Sequence, residues 1–440
     1  MAAKKKKSTK SKAAPAEIPT TPWPAPDVQP MENISLTGAA LRGELRAFKG
    51  KINEQAGRTI VGFASEATST FMLRRPFGIT DLDIATGGGA PAGGPIQIAG
   101  PEASGKTYLA MQCMLMHQLI RGNAFSGMWV CAEPTLGFDF KRAAKMGLKV
   151  GLPANYIPQL QQMRALRGLV PLTDTDLSVL TQSVGELLIV QAHTGEEALD
   201  TVLRAVESNF FGVIVIDSLS NLIPIANAGR ELDEENKRAA HATMMTDFVK
   251  QLTPLLNKFG EPNYTTLIGI AQARANAAKA TAGPRAKYMK DWEVPIAWAW
   301  KHAALQNILI WNGARIDKQH QKVKAAVGKS VHWSIGKGKA GAHEHVSGEY
   351  DFFFDDVFPD LQLPYGADRA ETMLIEGMRA GVIKEYKGSI VLVRTSDNTA
   401  LMDGIPGLPT LKQMLNVDFG LEQMLRQEIM AARGIECRYL

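Results

Sequence analysis

Gly100-Pro101-Glu102-Ala103-Ser104-Gly105-Lys106-Thr107 is the stretch on which the fold turns. It matches G-x-x-x-x-G-K-[ST] at every fixed position, and its surroundings say more than the string itself. Pro95–Ala99 is a short apolar run that reads as a buried strand. After Tyr108, the residues Leu109, Cys113, Met116 and Ile120 share one face of a helix. A strand, a glycine-bearing turn and a helix N-terminus gather backbone N–H groups and the positive end of a helix dipole around one point, which suits phosphate. Lys106 is then placed for the β- and γ-phosphates of ATP, and the Thr107 hydroxyl for Mg2+. Gly100, Pro101, Glu102, Ala103, Ser104, Gly105, Lys106, Thr107 and Tyr108 are the candidate nucleotide-binding residues.

Outward from this loop, short apolar runs recur at Met128–Cys131, Leu187–Val190, Val213–Ile216, Thr266–Ile270 and Ile308–Trp311, separated by longer amphipathic stretches. Buried strands alternating with helices predict an α/β domain with a mostly parallel sheet. Three of these runs end in a polar group suited to phosphate chemistry. Asp217 closes Val213–Ile216 and is the second candidate for Mg2+ beside Thr107. Glu133, just past Cys131, is a candidate base for an attacking water, or else a solvated strand-end charge. Gln272 can bond a γ-phosphate oxygen, or else cap a turn.

Ala273–Lys290 follows at once, with Arg274, Lys279, Arg285, Lys287 and Lys290, no acid, and rings nearby at Tyr288 and Trp292. A basic loop with adjacent π-faces fits single-stranded nucleic acid, against the alternative of a solvated surface loop. Trp298 and Trp300 read as residues packing a helix on the core.

Net charge does not carry that argument. The 440 residues hold 49 Lys+Arg and 44 Asp+Glu, a formal +5, but residues 1–12 contain six lysines and no acid. Residues 13–440 therefore stand near neutrality, at −1. With 45% hydrophobic and 21% charged residues the chain is globular rather than wholly disordered, and three cysteines are too few for a disulfide scaffold or a thiolate metal site. They read as reduced thiols of a cytoplasmic protein. No apolar run is long enough to cross a membrane.

The expected organisation is a disordered Lys/Pro-rich arm (1–34), an N-terminal oligomerisation module opening on a short helix (35–78), an ATPase core (79–349) with an irregular insertion at about 154–183, and a small α+β domain (350–440) with a helix over Ala370–Ala380 and a strand over Gly388–Val393.

Taken together the motifs resemble those of the bacterial RecA recombinases and their phage relatives. Besides the P-loop, the resemblance rests on Leu82-Asp-Ile-Ala-Thr-Gly-Gly-Gly89, His193-Thr-Gly-Glu-Glu-Ala-Leu199 and Val213-Ile-Val-Ile-Asp-Ser-Leu-Ser-Asn-Leu-Ile-Pro224, in the family's order. It implies a RecA-like core and a DNA-dependent ATPase that forms helical filaments on single-stranded DNA and exchanges strands with homologous duplex. Single-strand-binding and loader proteins would be further partners, and no membrane is involved. It also implies roles for residues. Glu133 takes the place of the catalytic glutamate, Gln272 of the γ-phosphate sensor, and Phe140 of the aromatic on the adenine ring. Lys337 and Lys339 resemble a lysine pair that reaches the neighbouring protomer's ATP. Ala226–Ala239, with Arg230, Lys237 and Arg238, falls where the first DNA loop lies, and Ala273–Lys290 where the second does. Gly137 stands where an adenine-contacting acid is usual, and Ala271 replaces an Asn. A ring-forming motor on the same fold and a non-hydrolysing mediator are the alternatives.

Overall fold

The computed structural model describes residues 38–63, 73–132, 138–151, 156–166, 183–227, 234–256, 262–276, 292–320, 322–354 and 363–436, with a few single positions besides. The chain divides into two compact units, residues 1–61 and 62–440.

The first unit contains α1 (Gly38–Ala56). Its end is fixed by Asn53, whose Oδ1 accepts the N–H groups of Ile60 and Val61 at 2.8 and 2.9 Å. Leu45 and Phe48 of α1 are exposed.

The second unit begins with β1 (Leu73–Arg75), α2 (Thr80–Ala85), β2 (Ala90–Pro91), β3 (Gly94–Gly100), α3 (Lys106–Arg121), β4 (Ser126–Cys131), α4 (Phe140–Met146) and α5 (Tyr156–Leu166). It continues through β5 (Glu186–Val190), α6 (Gly195–Ser208), β6 (Val213–Asp217), α7 (Glu234–Leu256), β7 (Thr266–Gln272), β8 (Arg274–Ala275), β9 (Trp292–Glu293) and α8 (Trp298–Ala303). The long strands β10 (Gln306–His320) and β11 (Val323–Gly338) follow, then β12 (Ser347–Phe353) and β13 (Gly366–Ala367).

Nine strands form one sheet in the order β13-β12-β11-β10-β3-β7-β6-β4-β5. From β10 to β5 every neighbour is parallel, and β10 to β13 are antiparallel. The expected α/β core with a mostly parallel sheet is therefore present. Its apolar runs follow from burial on both faces, because successive side chains of a strand point to opposite sides. Ile96, Ile98, Val213, Val215, Ile268 and Ile270 pack with α3 residues Leu109, Met111 and Cys113. Ile214, Ile216, Leu267 and Ala271 pack on the other face with Leu199, Val202 and Val206 of α6 and Met245, Phe248 and Leu252 of α7. The helix α6 starts where Thr194 accepts the Glu197 N–H, while the Glu197 carboxylate accepts the N–H of His193, close to a capping box.

A third apolar cluster joins α9 (Arg369–Arg379), the small sheet β14 (Ile383–Tyr386), β15 (Ser389–Val393) and β16 (Ala400–Ile405), and α10 (Gly407–Val417) and α11 (Phe419–Ala432). Finally β17 (Arg438–Tyr439) returns to pair with β1.

Several details differ from the sequence reading. The run at Ile308–Trp311 is only the start of β10, whose pairing with β3 ends at Leu309 while its hairpin with β11 runs on to His320. At about 3.3 Å per residue this arm extends beyond the parallel sheet by roughly 30 Å. Strand β12 spans residue 350 and belongs to the large sheet. The irregular stretch 154–183 holds a helix, α5, and is closed at its mouth by a bridge between Val150 and Ser183. Trp300 is fully buried, but Trp298 is exposed and stacks on His302, because residues two apart on a helix face different ways. No helix among the described residues is long and apolar enough to cross a membrane.

Candidate functional site

Strand β3 ends at Gly100, and the loop 101–105 leads into α3. Gly105 has φ 99°, a left-handed conformation that suits glycine. The loop is closed on itself: Lys106 Nζ and Ser104 Oγ both donate to the Pro101 carbonyl, at 2.7 and 2.8 Å. Thr107 Oγ1 donates to Asp217 Oδ2 at 3.0 Å. Two residues 110 positions apart, chosen from sequence as a Mg2+ pair, are thus in direct contact.

Strand register places the other candidates. Gly100 pairs with Gln272, and the N–H of Ala273 donates to the Gly100 carbonyl at 2.8 Å. Asp217 pairs with Cys131, and the Ala132 N–H donates to the Asp217 carbonyl. The P-loop, Gln272 and Asp217 therefore lie side by side at the carboxyl ends of β3, β7 and β6, the edge where open α/β sheets bind ligands. The Gln272 N–H is held by Ser220 Oγ at 3.3 Å, a partner the sequence reading missed. Glu133 lies outside the described residues. Burial, together with the Asp217 charge, pushes the Cys131 thiol up to about 11, and burial takes Cys113 to about 12, so both remain thiols at neutral pH.

The donor set fits Mg2+. One hydroxyl and one carboxylate, both hard oxygens, stand at the mouth of a phosphate loop, and Mg2+ is commonly held by one or two carboxylates with substrate phosphates and water.

Tyr108 needs correction as a ligand. Its side chain is buried, and its hydroxyl donates to Gln112 Oε1 and accepts the Ala367 N–H at 2.7 Å. Only its backbone N–H remains for a phosphate. Phe140 opens α4, half-buried and edge-on to Phe138. Lys337 lies on the sheet three residues below the P-loop in register, and its Nζ donates to the carbonyls of Lys301 and His302 at the end of α8. Burial, aided by Lys339, lowers its pKa. Lys339 is exposed.

Of the nucleic-acid candidates, Arg274 is exposed on β8 and pairs in register with Glu293 of β9. Arg230, Lys279, Arg285, Lys287 and Lys290 lie outside the described residues. Lys237 and Arg238 are on the first turns of α7, with their side chains outside the described set.

The structure adds one residue that no local signal marks. Lys329, on β11, donates to the carbonyl of Ala103 in the P-loop at 2.6 Å.

Residues 172–287 match the RecA N-terminal domain family model. That span contains β6 and β7 but begins after the P-loop. The chain is 28% identical over 232 residues to Protein RecA of Chloroflexus aurantiacus, covering 52% of this chain and 54% of that protein. It is 30% identical over 230 residues to Protein RecA of Leptospira biflexa, covering 52% and 48%. It is 32% identical over 200 residues to Protein RecA of Kineococcus radiotolerans, covering 45% of each. The chain thus spans about half the length of the curated relatives it matches. A crystal structure of the RadB recombinase aligns with 63% of this chain and 96% of its own, at a TM-score of 0.37 and 17% identity.

Proposed function

Because this chain is a relative of the RecA-type recombinases, we propose that it is a cytoplasmic, DNA-dependent ATPase of recombination and repair, which assembles on single-stranded DNA and exchanges strands with homologous duplex. The observation that carries the reading is the row of groups at one sheet edge: the P-loop, the Thr107–Asp217 contact and Gln272 in register with Gly100. The basic stretch Ala273–Lys290, which follows Gln272 in sequence and opens on β8, paired with β9, supports it.

ATP is the nucleotide of this reading. The loop amides and Lys106 hold its phosphates, and Lys106 exchanges the Pro101 carbonyl for phosphate oxygens. Bound at Thr107 and Asp217, Mg2+ would neutralise phosphate charge. Glu133 accepts the proton of the attacking water. Gln272 donates to the γ-phosphate, so loss of that oxygen is felt at β8 and in the basic loop. Lys279, Arg285, Lys287 and Lys290, with Arg230 and with Lys237 and Arg238 on the first turns of α7, track DNA phosphates. Lys337 and Lys339 act on the nucleotide of the next protomer in a filament, and the exposed Leu45 and Phe48 of α1 offer apolar surface for that assembly. Single-strand-binding and loader proteins are further expected partners.

The test is ATP turnover with and without single-stranded DNA, for the wild type, Lys106→Ala and Glu133→Gln. Stimulation by DNA, lost in both variants, is expected. Turnover that ignores DNA, or survives Glu133→Gln undiminished, would sink the mechanism.

A further inference from the structure

The antiparallel half of the sheet grips the P-loop from outside at three points. At the strand end, the Ile310 carbonyl of β10 lies so close to Gly100 that a Cβ there would meet it at 2.2 Å. At the helix end, the ring of Phe352 on β12 stands edge-on to Tyr108, 4.7 Å between centroids. Between them Lys329 donates from Nζ to the Ala103 carbonyl and to Asn312 Oδ1, both at 2.6 Å, with its ammonium 5.8 Å from the centre of the Phe352 ring. Asn312 and Phe352 thus aim the lysine at one carbonyl of the loop.

That carbonyl belongs to a residue in an unfavourable conformation. Ala103 has φ 56°, the left-handed region that costs a residue with a Cβ and persists only where its surroundings hold it. The peptide unit that follows is planar and trans, so its C=O and N–H point in opposite directions. A cation holding the Ala103 oxygen outward turns the Ser104 N–H inward. Among the described residues it meets the Pro101 carbonyl, at 3.4 Å, a long hydrogen bond that a phosphate oxygen displaces at little cost.

We propose that Lys329 is a positioning residue for the nucleotide phosphates, acting through the Ala103–Ser104 peptide, with Asn312 and Phe352 fixing its own direction. The inference deepens the nucleotide reading above and rests on it. An N–H that contacts phosphate in both ground and transition states contributes uniform binding, so its misplacement raises KM more than it lowers kcat.

The experiment compares wild type, Lys329→Met and Lys329→Arg by equilibrium binding of ADP with Mg2+, by steady-state ATP turnover and by thermal melting. Lys329→Met is expected to raise the ADP Kd and the ATP KM about tenfold, with kcat changed less than about threefold and the melt unmoved. Arginine, which keeps the charge and the donors, is expected to restore most of the binding. ADP binding as tight in Lys329→Met as in wild type would overturn the inference. So would an arginine variant no better than methionine, or a lowered melt with kcat reduced as much as KM is raised. If the wild type itself binds no ADP, the nucleotide reading fails and this inference falls with it.

Discussion

Gly100 has no room for a side chain, and the closest obstacle lies across the sheet: an added Cβ would meet the Ile310 carbonyl at 2.2 Å, and Ser104 Oγ of the motif itself at 2.6 Å. Backbone cannot give way as a flexible side chain can, so Gly100→Ala must displace either β10 or the loop. Overpacking of this kind costs about 1–3 kcal/mol. The expected outcome is a lower melting temperature together with ADP binding weakened beyond detection by calorimetry. A second residue, Asp81, sets a pH dependence away from the site. Burial pushes its carboxyl from 3.8 up to about 6, with the Leu82 N–H working against the shift and the charge of Glu376 adding to it. The folded state therefore favours the protonated form. The stability Asp81 contributes is fully present below about pH 4 and is lost as pH rises through about 6. Asp81→Asn should flatten the unfolding free energy measured in urea between pH 4 and 6 and raise it at pH 7.5, by at most about 3 kcal/mol. An unchanged profile would mean the carboxyl is better solvated than its surroundings indicate.

At the level of elements, α2 and α11 are joined by ions rather than by apolar area alone. Arg426, fully buried, donates to Asp83 Oδ2 at 2.6 Å and to Glu422 Oε1 at 2.8 Å, and Arg369 meets the other Glu422 oxygen at 3.2 Å. Asp83 is further satisfied by the N–H groups of Phe77 and Gly78. Removing one member of such a set leaves buried charge without a partner, at about 3–5 kcal/mol. Arg426→Met should therefore lower the melting temperature and hasten proteolytic release of residues 370–436. A double variant with Asp83→Asn should lose less than the sum of the two. None of this was legible in the sequence, because Asp83 and Arg426 are 343 positions apart. What was legible was local. The runs at β3, β6 and β7 announce strands because burial on both faces leaves them uninterrupted apolar text. The P-loop and Asp217 announce themselves because each is fixed at the end of such a run. The arm of β10 and β11 escaped because its strands carry Lys318, Lys324, Lys329, His332 and Lys337 among apolar residues, as half-exposed strands do. Lys329 escaped with it, since its contact with Ala103 exists only through the register of that hairpin.

For the molecule as a whole, the proposed function asks which cations would meet DNA. Net charge does not point at the proposed ones, since six lysines in residues 1–12 account for the entire excess. The five cations of Ala273–Lys290 differ in sequence position: they follow Gln272, the proposed γ-phosphate sensor, and the first of them, Arg274, lies on β8 in register with Glu293 of β9. On the proposed reading, the N-terminal lysines would add long-range attraction, whereas cations that follow the nucleotide site in sequence would add contacts that depend on ATP. The two contributions separate by salt. Each single-strand phosphate contact lowers the slope of log K against log salt by about 0.7. Replacing Lys279, Arg285 and Lys287 by alanine should reduce the steepness by about 2 and abolish DNA stimulation of turnover. Deleting residues 2–12 takes the formal charge from +5 to −1. It should weaken binding modestly at low salt, leave stimulation in place and leave strand exchange intact. Filter binding across a salt series, with and without an ATP analogue, reads both variants. If the tail deletion abolished exchange while the loop variant kept it, the basic arm and not the loop would be the DNA-binding element.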